Sequence, residues 1–493
     1  MGGAGGRWQA KIGLEVHAQL QCARKLFSGS FVGPLGAAPN THCTLFDAAI
    51  PGTLPRLNAE PVRLAVRAGI AFGGAVNLTS RFVRKHYFYC DLPLGYQITQ
   101  QDDPIISGGL VFLPDHNLTV GIDRIQLEQD SGKSINDIDE SFSYVDLNRA
   151  GMALIEIVTK PDMTTGEQAG SFLKKLQQIL SRLDVCDGIM ASGSMRCDVN
   201  VSVHDQSAKI DGERIEVKNL NSIRAVENAI AFETKRQIAS FEQGRPVERE
   251  TRSFDAVSGS TSRLRSKEQL ADYRMFPDPD LPSLRLDKSF VDGIRGSMPE
   301  MPDVLVARLQ TQYGISLKAA EIIGSRNAIT AYFESMLQAP SSCPLTPETA
   351  AVHANWLTTE LFGRLNAKGL DIDDCNVSPE RLRSLTDAIT SGVITGRSGK
   401  AVLDLMTDGD NRPVLDIIRD HGWEQVTDVS IIEPLCLDAI KAHPREVHAI
   451  LHKNKYRKLN CLVGDVIAKY NGPGCLSTPL VSETLQRLMR EQI

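Results

Sequence analysis

Met195-Arg196-Cys197-Asp198-Val199-Asn200-Val201-Ser202-Val203 alternates apolar and polar residues without a break. On an extended chain successive side chains point to opposite faces, so the segment has one greasy side and one side carrying Arg196, Asp198, Asn200 and Ser202. Ile12, Leu14 and Val16 alternate in the same way with Gly13, Glu15 and His17, and Ile215 and Val217 with Arg214, Glu216 and Lys218. Strands buried on both faces would read as continuous apolar runs. Strands with one polar side argue instead for an antiparallel sheet whose polar face is a working surface.

Two helices interrupt this pattern. Thr164 and Glu167 form a capping-box pattern ahead of Phe172, Leu173, Leu176, Ile179, Leu180 and Leu183, which have helical spacing. A second helix is expected over 223–241, ending before Gly244. Pro277, Pro279, Pro282 and the segment 297–302 mark a boundary, beyond which the helical period dominates; 302–338 and 346–365 are helix candidates. The fold class expected is α+β: an antiparallel-sheet domain over residues 1–297, an all-α segment over 298–430 and a helical tail over 431–493.

The 493 residues suggest about three domains at ~150 residues each. Apolar residues make up 42% and charged residues 23%, enough to bury real cores, so wholesale disorder is excluded. A net charge of -6 excludes a uniformly basic nucleic-acid protein but leaves room for a local basic patch. No apolar run approaches the ~18 residues of a membrane helix, so no membrane partner is expected. The ten cysteines include no C-x-x-C pair, which leaves neither a zinc knuckle nor a redox motif and favours reduced thiols. The first residues show no clear leader.

The chemistry is carried by the polar strand faces. Glu15 and His17 lie ~7 Å apart on one side of a strand, and carboxylate with imidazole suits a hard or borderline divalent cation. Glu128 and Asp130, followed by Lys133, Arg196 with Asp198, and Glu216 with Lys218 add acids and cations from further strands. Together they form either a platform for a metal-bound nucleotide or a solvated face of ordinary salt bridges. Neither a P-loop nor a Gly-rich dinucleotide turn is present, so phosphate would be held through metal and cationic side chains rather than a helix terminus. Arg84–Tyr89 interleaves bases with aromatics, as a strand or as a stacking surface for nucleobases. The stretches 251–255 and 261–273, with Arg252, Arg263, Arg265 and Lys267, read as loops suited to an anionic partner. Residues 441–458 hold six basic residues against Glu446 alone, which is either a solvated helix face or an RNA contact.

These stretches in order are recognisable. IGLEVHAQL (12–20), PGTLPRLN (51–58), RKHYFYCDLPLGYQITQ (84–100), LEQDSGKS (127–134), VDLNRAGMALIEIV (145–158), MRCDVNVSV (195–203), EVKNLNSIRAVENAI (216–230), ETRSFD (250–255), DYRMFPDPDLP (272–282) and KLNCLVGDVIAK (458–469) run through nearly the whole chain. Over that length the sequence resembles the GatB family, the B component of the glutamyl-tRNA(Gln)/aspartyl-tRNA(Asn) amidotransferases.

The resemblance implies a glutamine-synthetase-like cradle that binds ATP and Mg2+ and phosphorylates the side-chain carboxylate of glutamate misloaded on tRNA(Gln). It also implies an amidase subunit that supplies ammonia, a small third subunit, and a tail that grips the misacylated tRNA. By the same route the metal falls to Glu15, His17, Glu128 and Glu216, with Glu156 and Asp130 in reserve, and catalysis to Glu128, Glu216 and Lys85. Arg149, Lys133 and Arg196 are expected around ATP, Tyr87 and Tyr89 around the acceptor end, and Lys453, Lys455, Arg457 and Lys458 on the tRNA. The sequence departs from the family pattern at Gln129, where a second acid is usual, and at Ser192, Cys90 and the lone Cys43. Gln129 and Cys43 look like the mitochondrial branch, which implies a mitochondrial matrix location.

Overall fold

The computed structural model describes residues 7–34, 36–135, 142–205, 210–266, 274–341, 343–453, 456–470, 472 and 474–491. The chain divides into two compact units, Met1–Pro302 and Asp303–Ile493.

The first unit is built on a sheet of eleven strands among the described residues. Strand Gln9–Gln19 lies at its centre, flanked by Ala153–Thr159 and Met195–Asp205, both antiparallel. Leu118–Gln129 pairs beyond the first, Ile215–Leu220 beyond the second, followed by Glu250–Asp255 and the edge strand Ser260–Ser266. The alternation visible in the sequence sets the two faces. Ile12, Val16, Val199, Val201, Val203 and Val217 are fully buried and Leu14 is nearly so. A one-residue slip of the central strand would turn three such side chains outward, at roughly 1.5–3 kcal/mol each.

Helices Gly166–Arg182 and Ile223–Glu242 belong to the same core through Phe172, Leu176, Leu180, Val226 and Ile230. They approach closely because Gly166 and Gly170 carry no Cβ. A Cβ at Gly166 would lie 2.8 Å from the Glu227 carbonyl oxygen. The first helix is capped one residue later than expected. Thr165 accepts from the Gln168 N–H, and the Gln168 side chain accepts from the Thr164 N–H at 2.7 Å. The run Thr-Thr-Gly-Glu-Gln allows both registers, and Gln168 serves the second.

Two further expectations are corrected. The sheet is mixed, because Ile215–Leu220 and Glu250–Asp255 run parallel. The Ile223–Glu242 helix is the crossover joining them, and such a connection brings the chain back in the same direction. Of the stretches expected as loops, 251–255 and 261–266 belong to the antiparallel strands Glu250–Asp255 and Ser260–Ser266, and 267–273 lies outside the described residues. Two of their cations are engaged internally: Arg252 pairs with Glu233 at 2.9 Å and Glu250 at 2.7 Å, and Arg263 with Glu250 at 3.1 Å.

The second unit is helical, with one core centred on Leu309, Phe333, Leu357 and Leu385 and another on Cys436, Leu462 and Leu485. The expected 302–338 helix is three: Pro302–Tyr313, Leu317–Gly324 and Asn327–Gln338. Gly314, at φ +64°, ends the first. Residues 347–368 form helical segments in succession, passing through a π turn at Trp356–Leu361. Among the described residues no helix is long and apolar enough to cross a membrane.

Candidate active site

Directly opposed residues in antiparallel strands share a face, so register decides which polar groups meet. His17 is opposite Glu156 on one side and Arg196 on the other, and Glu156 is opposite Gln126. Glu15 is opposite Asp198, and Asn200 is opposite Glu216, which faces Thr251. These rows line a cleft of about 310 Å³ walled by Glu15, His17, Lys85, Glu156, Asp198, Asn200, Arg214, Glu216, Lys218, Arg249, Glu250 and Thr251.

At one end His17, Glu128 and Glu156 offer ligand atoms all within 4.8 Å of one another. Glu128 and Glu156 are buried, and His17 Nδ1 lies 3.5 Å from Glu128 Oε1. Burial disfavours the His17 imidazolium, yet its contact with Glu128 and the charges of Glu156 and Asp198 prevail and raise it to about 9. Burial likewise opposes the Glu128 carboxylate, but His17 and Lys85 hold its pKa well below the usual range. Glu156 is pushed up to about 7 by burial and by Glu128 beside it. Two carboxylates crowded on an imidazole form a site whose repulsion a divalent cation would relieve, and an N,O,O donor set fits such an ion.

At the other end the groups are tied to one another. Glu15 Oε1 accepts from Asn200 Nδ2 at 2.9 Å. Lys218 Nζ lies 2.7 Å from Asp198 and 2.9 Å from Glu216, whose other oxygen accepts from Thr251 Oγ1 at 3.1 Å. Burial works against the Lys218 charge, and the two carboxylates more than restore it.

Of the four expected metal ligands, His17 and Glu128 fall within the three-residue cluster, together with Glu156. Glu15 and Glu216 stand elsewhere on the cleft wall. Lys85 reaches the cleft from the short strand Val83–His86. That strand is clamped by the 276–280 segment, through Arg84 to Asp278 at 2.8 Å and to Asp280 at 2.7 Å. Arg196 and Arg149 meet at Asp130, at 2.9 and 3.6 Å, and Arg149 also donates to the carbonyls of Ser131 and Gly132. Lys133 is exposed on strand Lys133–Ile135. Tyr87 and Tyr89 pack edge to face at 5.6 Å, with Tyr89 and the neighbouring Phe88 largely exposed. In the second unit Arg457 is exposed and Lys458 lies 3.7 Å from Glu446. Lys455 and the side chain of Lys453 lie outside the described residues.

The sequence does not single out Arg214, Arg249 or Thr251 for the cleft. Asn200 is visible in the alternation of 196–202. Thr251 is hidden because the stretch 251–255 reads as a loop until its strand partners are known, and Arg249 stands just before the strand Glu250–Asp255.

Comparison with known proteins agrees with this architecture. The family model described as the GatB/GatE catalytic domain matches residues 10–292, and that described as the GatB domain matches 331–487. Sheet, cleft and matched domain define a ligase component of the tRNA-dependent amidotransferase class. The B component of the aspartyl/glutamyl-tRNA(Asn/Gln) amidotransferase of Brucella suis is 43% identical over 478 residues, covering 95% of this chain and 93% of that one. Its counterpart in Paramagnetospirillum magneticum is 43% identical over 488 residues, covering 98% of each. The chain belongs to the GatB family of these amidotransferases.

Proposed function

We propose that the sheet cleft activates the side-chain carboxylate of glutamate carried on tRNA(Gln), using ATP, and presents it to ammonia to give Gln-tRNA(Gln) for translation. The observation that carries this reading is the His17–Glu128–Glu156 cluster, of which His17 and Glu156 line one cleft with Lys85 and Lys218. A carboxylate is a poor acyl donor because its leaving group would be oxide. Its oxygen takes the γ-phosphoryl group and ADP leaves; ammonia then attacks the acyl carbon and phosphate leaves.

That first step brings two anions together, and the chain's residues divide the task. His17, Glu128 and Glu156 would hold Mg2+, with Glu15 and Glu216 along the same wall. Bound there, the ion supplies positive charge to phosphate oxygens. Lys85 brings a further positive charge to the acidic end. Lys218, held by Asp198 and Glu216, keeps its proton and so its charge. Arg149 and Arg196 fix the 130–132 turn, and the exposed Lys133 meets a phosphate from solvent. Tyr87 and Tyr89 offer aromatic faces to the terminal nucleotide of the acceptor end.

Ammonia is supplied by an amidase subunit, a small third subunit completes the assembly, and Arg457, Lys458 and their basic neighbours contact the tRNA. Gln129 and the lone Cys43 support a mitochondrial matrix location. Reconstituting the three-component complex with Glu-tRNA(Gln), ATP and Mg2+ tests the reading. ADP release coupled to Gln-tRNA(Gln) is expected, and its absence would overturn the assignment. Parallel assays with Asp-tRNA(Asn) show whether the second substrate in the relatives' names is also used.

A further inference from the structure

We propose that Glu233, outside the cleft wall, is a positioning residue for Glu216 and acts through Arg252 and Thr251. The inference rests on the cleft assignment above. Glu233 sits midway along the crossover helix Ile223–Glu242, and its carboxylate is fully buried. It forms an ion pair with Arg252, whose Nε lies 2.9 Å from Oε1, and it accepts from Arg236 Nη2 at 2.9 Å and from the Thr261 hydroxyl, to whose oxygen Arg252 Nε donates at 2.8 Å. Arg252 in turn donates to Glu250 Oε1 at 2.7 Å and to the Thr261 carbonyl at 2.8 Å. One helical carboxylate thereby grips both strands of the 250–266 hairpin.

That hairpin joins the rest of the sheet through the Glu250–Asp255 strand alone, with Ser260–Ser266 as the outermost strand. Burial alone does not set its register. Sliding Glu250–Asp255 by two residues keeps every side chain on its face and brings Ser253 opposite Glu216 in place of Thr251. The Glu233–Arg252 contact forbids that slip, because it fixes Arg252 to one point on the helix. Thr251, the next residue on the opposite face, then delivers its hydroxyl to Glu216 Oε2, while Lys218 holds the other oxygen. Apolar contacts from Val226, Ala229 and Ile230 already join this helix to the core, so adhesion does not require a buried charge. The ion cluster supplies direction instead.

The test uses the reconstituted complex and steady-state ADP release with Glu-tRNA(Gln). Glu233→Gln is expected to lower kcat about ten- to hundredfold by misplacing Glu216, with KM for ATP and for tRNA nearly unchanged. Thr251→Val removes the same hydroxyl directly, so the Glu233→Gln/Thr251→Val double variant should be no worse than the poorer single one. If Glu233→Gln does not fold, Arg252→Lys, which keeps the charge and loses the fork, takes its place in the same cycle. Parent-like kcat in Glu233→Gln or Arg252→Lys, or losses that multiply in the double variant, would overturn the inference. A parent complex that releases no ADP would instead remove the cleft assignment beneath it.

Discussion

His17 Nδ1 lies 3.5 Å from Glu128 Oε1 although the strand Ala153–Thr159 separates their own strands in the sheet. The two side chains meet above that strand, where Glu156 joins them. Most of the cleft's electrostatic behaviour follows from this contact.

Metal binding must displace protons. With His17 at about 9, the imidazole is protonated at pH 7, and Glu156, at about 7, is half protonated. A cation needs both deprotonated, so loading should release roughly one to two protons at pH 7 and tighten as pH rises toward 9. Calorimetry in buffers of different ionisation enthalpy measures this; zero proton release would exclude His17 as a ligand.

Glu156→Gln should stabilise the metal-free protein at high pH. Its folded pKa, about 7, is above the ordinary glutamate value of 4.5, so its ionisation costs nothing below about 4.5 and its full amount above 7. Removing the charge should therefore gain on the order of 1–3 kcal/mol at pH 8 and little at pH 4. Denaturant unfolding in a chelator at both pH values checks it, and divalent-cation affinity should fall in the same variant.

Glu128→Gln should abolish ADP release, with a loss of at least about a hundredfold, because it takes away a buried ligand and the partner of His17. Filter binding of tRNA should be unaffected. Turnover equal to the parent would remove Glu128 from the reaction.

Replacing Arg457 and Lys458 by Ala should weaken tRNA binding and reduce the slope of log K against log salt by about 1.5 to 2. An unchanged slope would mean that these two residues do not meet phosphate.

The clamp on the strand that carries Lys85 can be loosened separately. Asp278→Asn leaves Arg84 with Asp280 alone, freeing strand Val83–His86 where it delivers Lys85. Turnover should drop about tenfold with modest change in melting temperature, and Asp278→Glu should recover part of it.

How much is legible varies with distance along the chain. Alternation within 195–203 and 12–17 reveals the sheet and its polar face directly, because the two-residue period is a local property of extended backbone. Motifs around Glu15, Glu128 and Glu216 place the acids on strands without saying which will touch. Arg252 looks available to an outside anion in the sequence, since its neutralising partner Glu233 lies 19 residues earlier on a helix.

Local residue pattern and motif order are enough for the α+β class, the two sides of each strand and the family. They are not enough to show that Glu156, rather than Glu15 or Glu216, shares a point with His17 and Glu128, or that Ile215–Leu220 and Glu250–Asp255 run parallel; the folded chain settles both. Strand order and register account for the difference. They depend on contacts between distant segments, as where His17 pairs with both Glu156 and Arg196, whereas each segment's own pattern specifies only which side of the sheet its residues occupy.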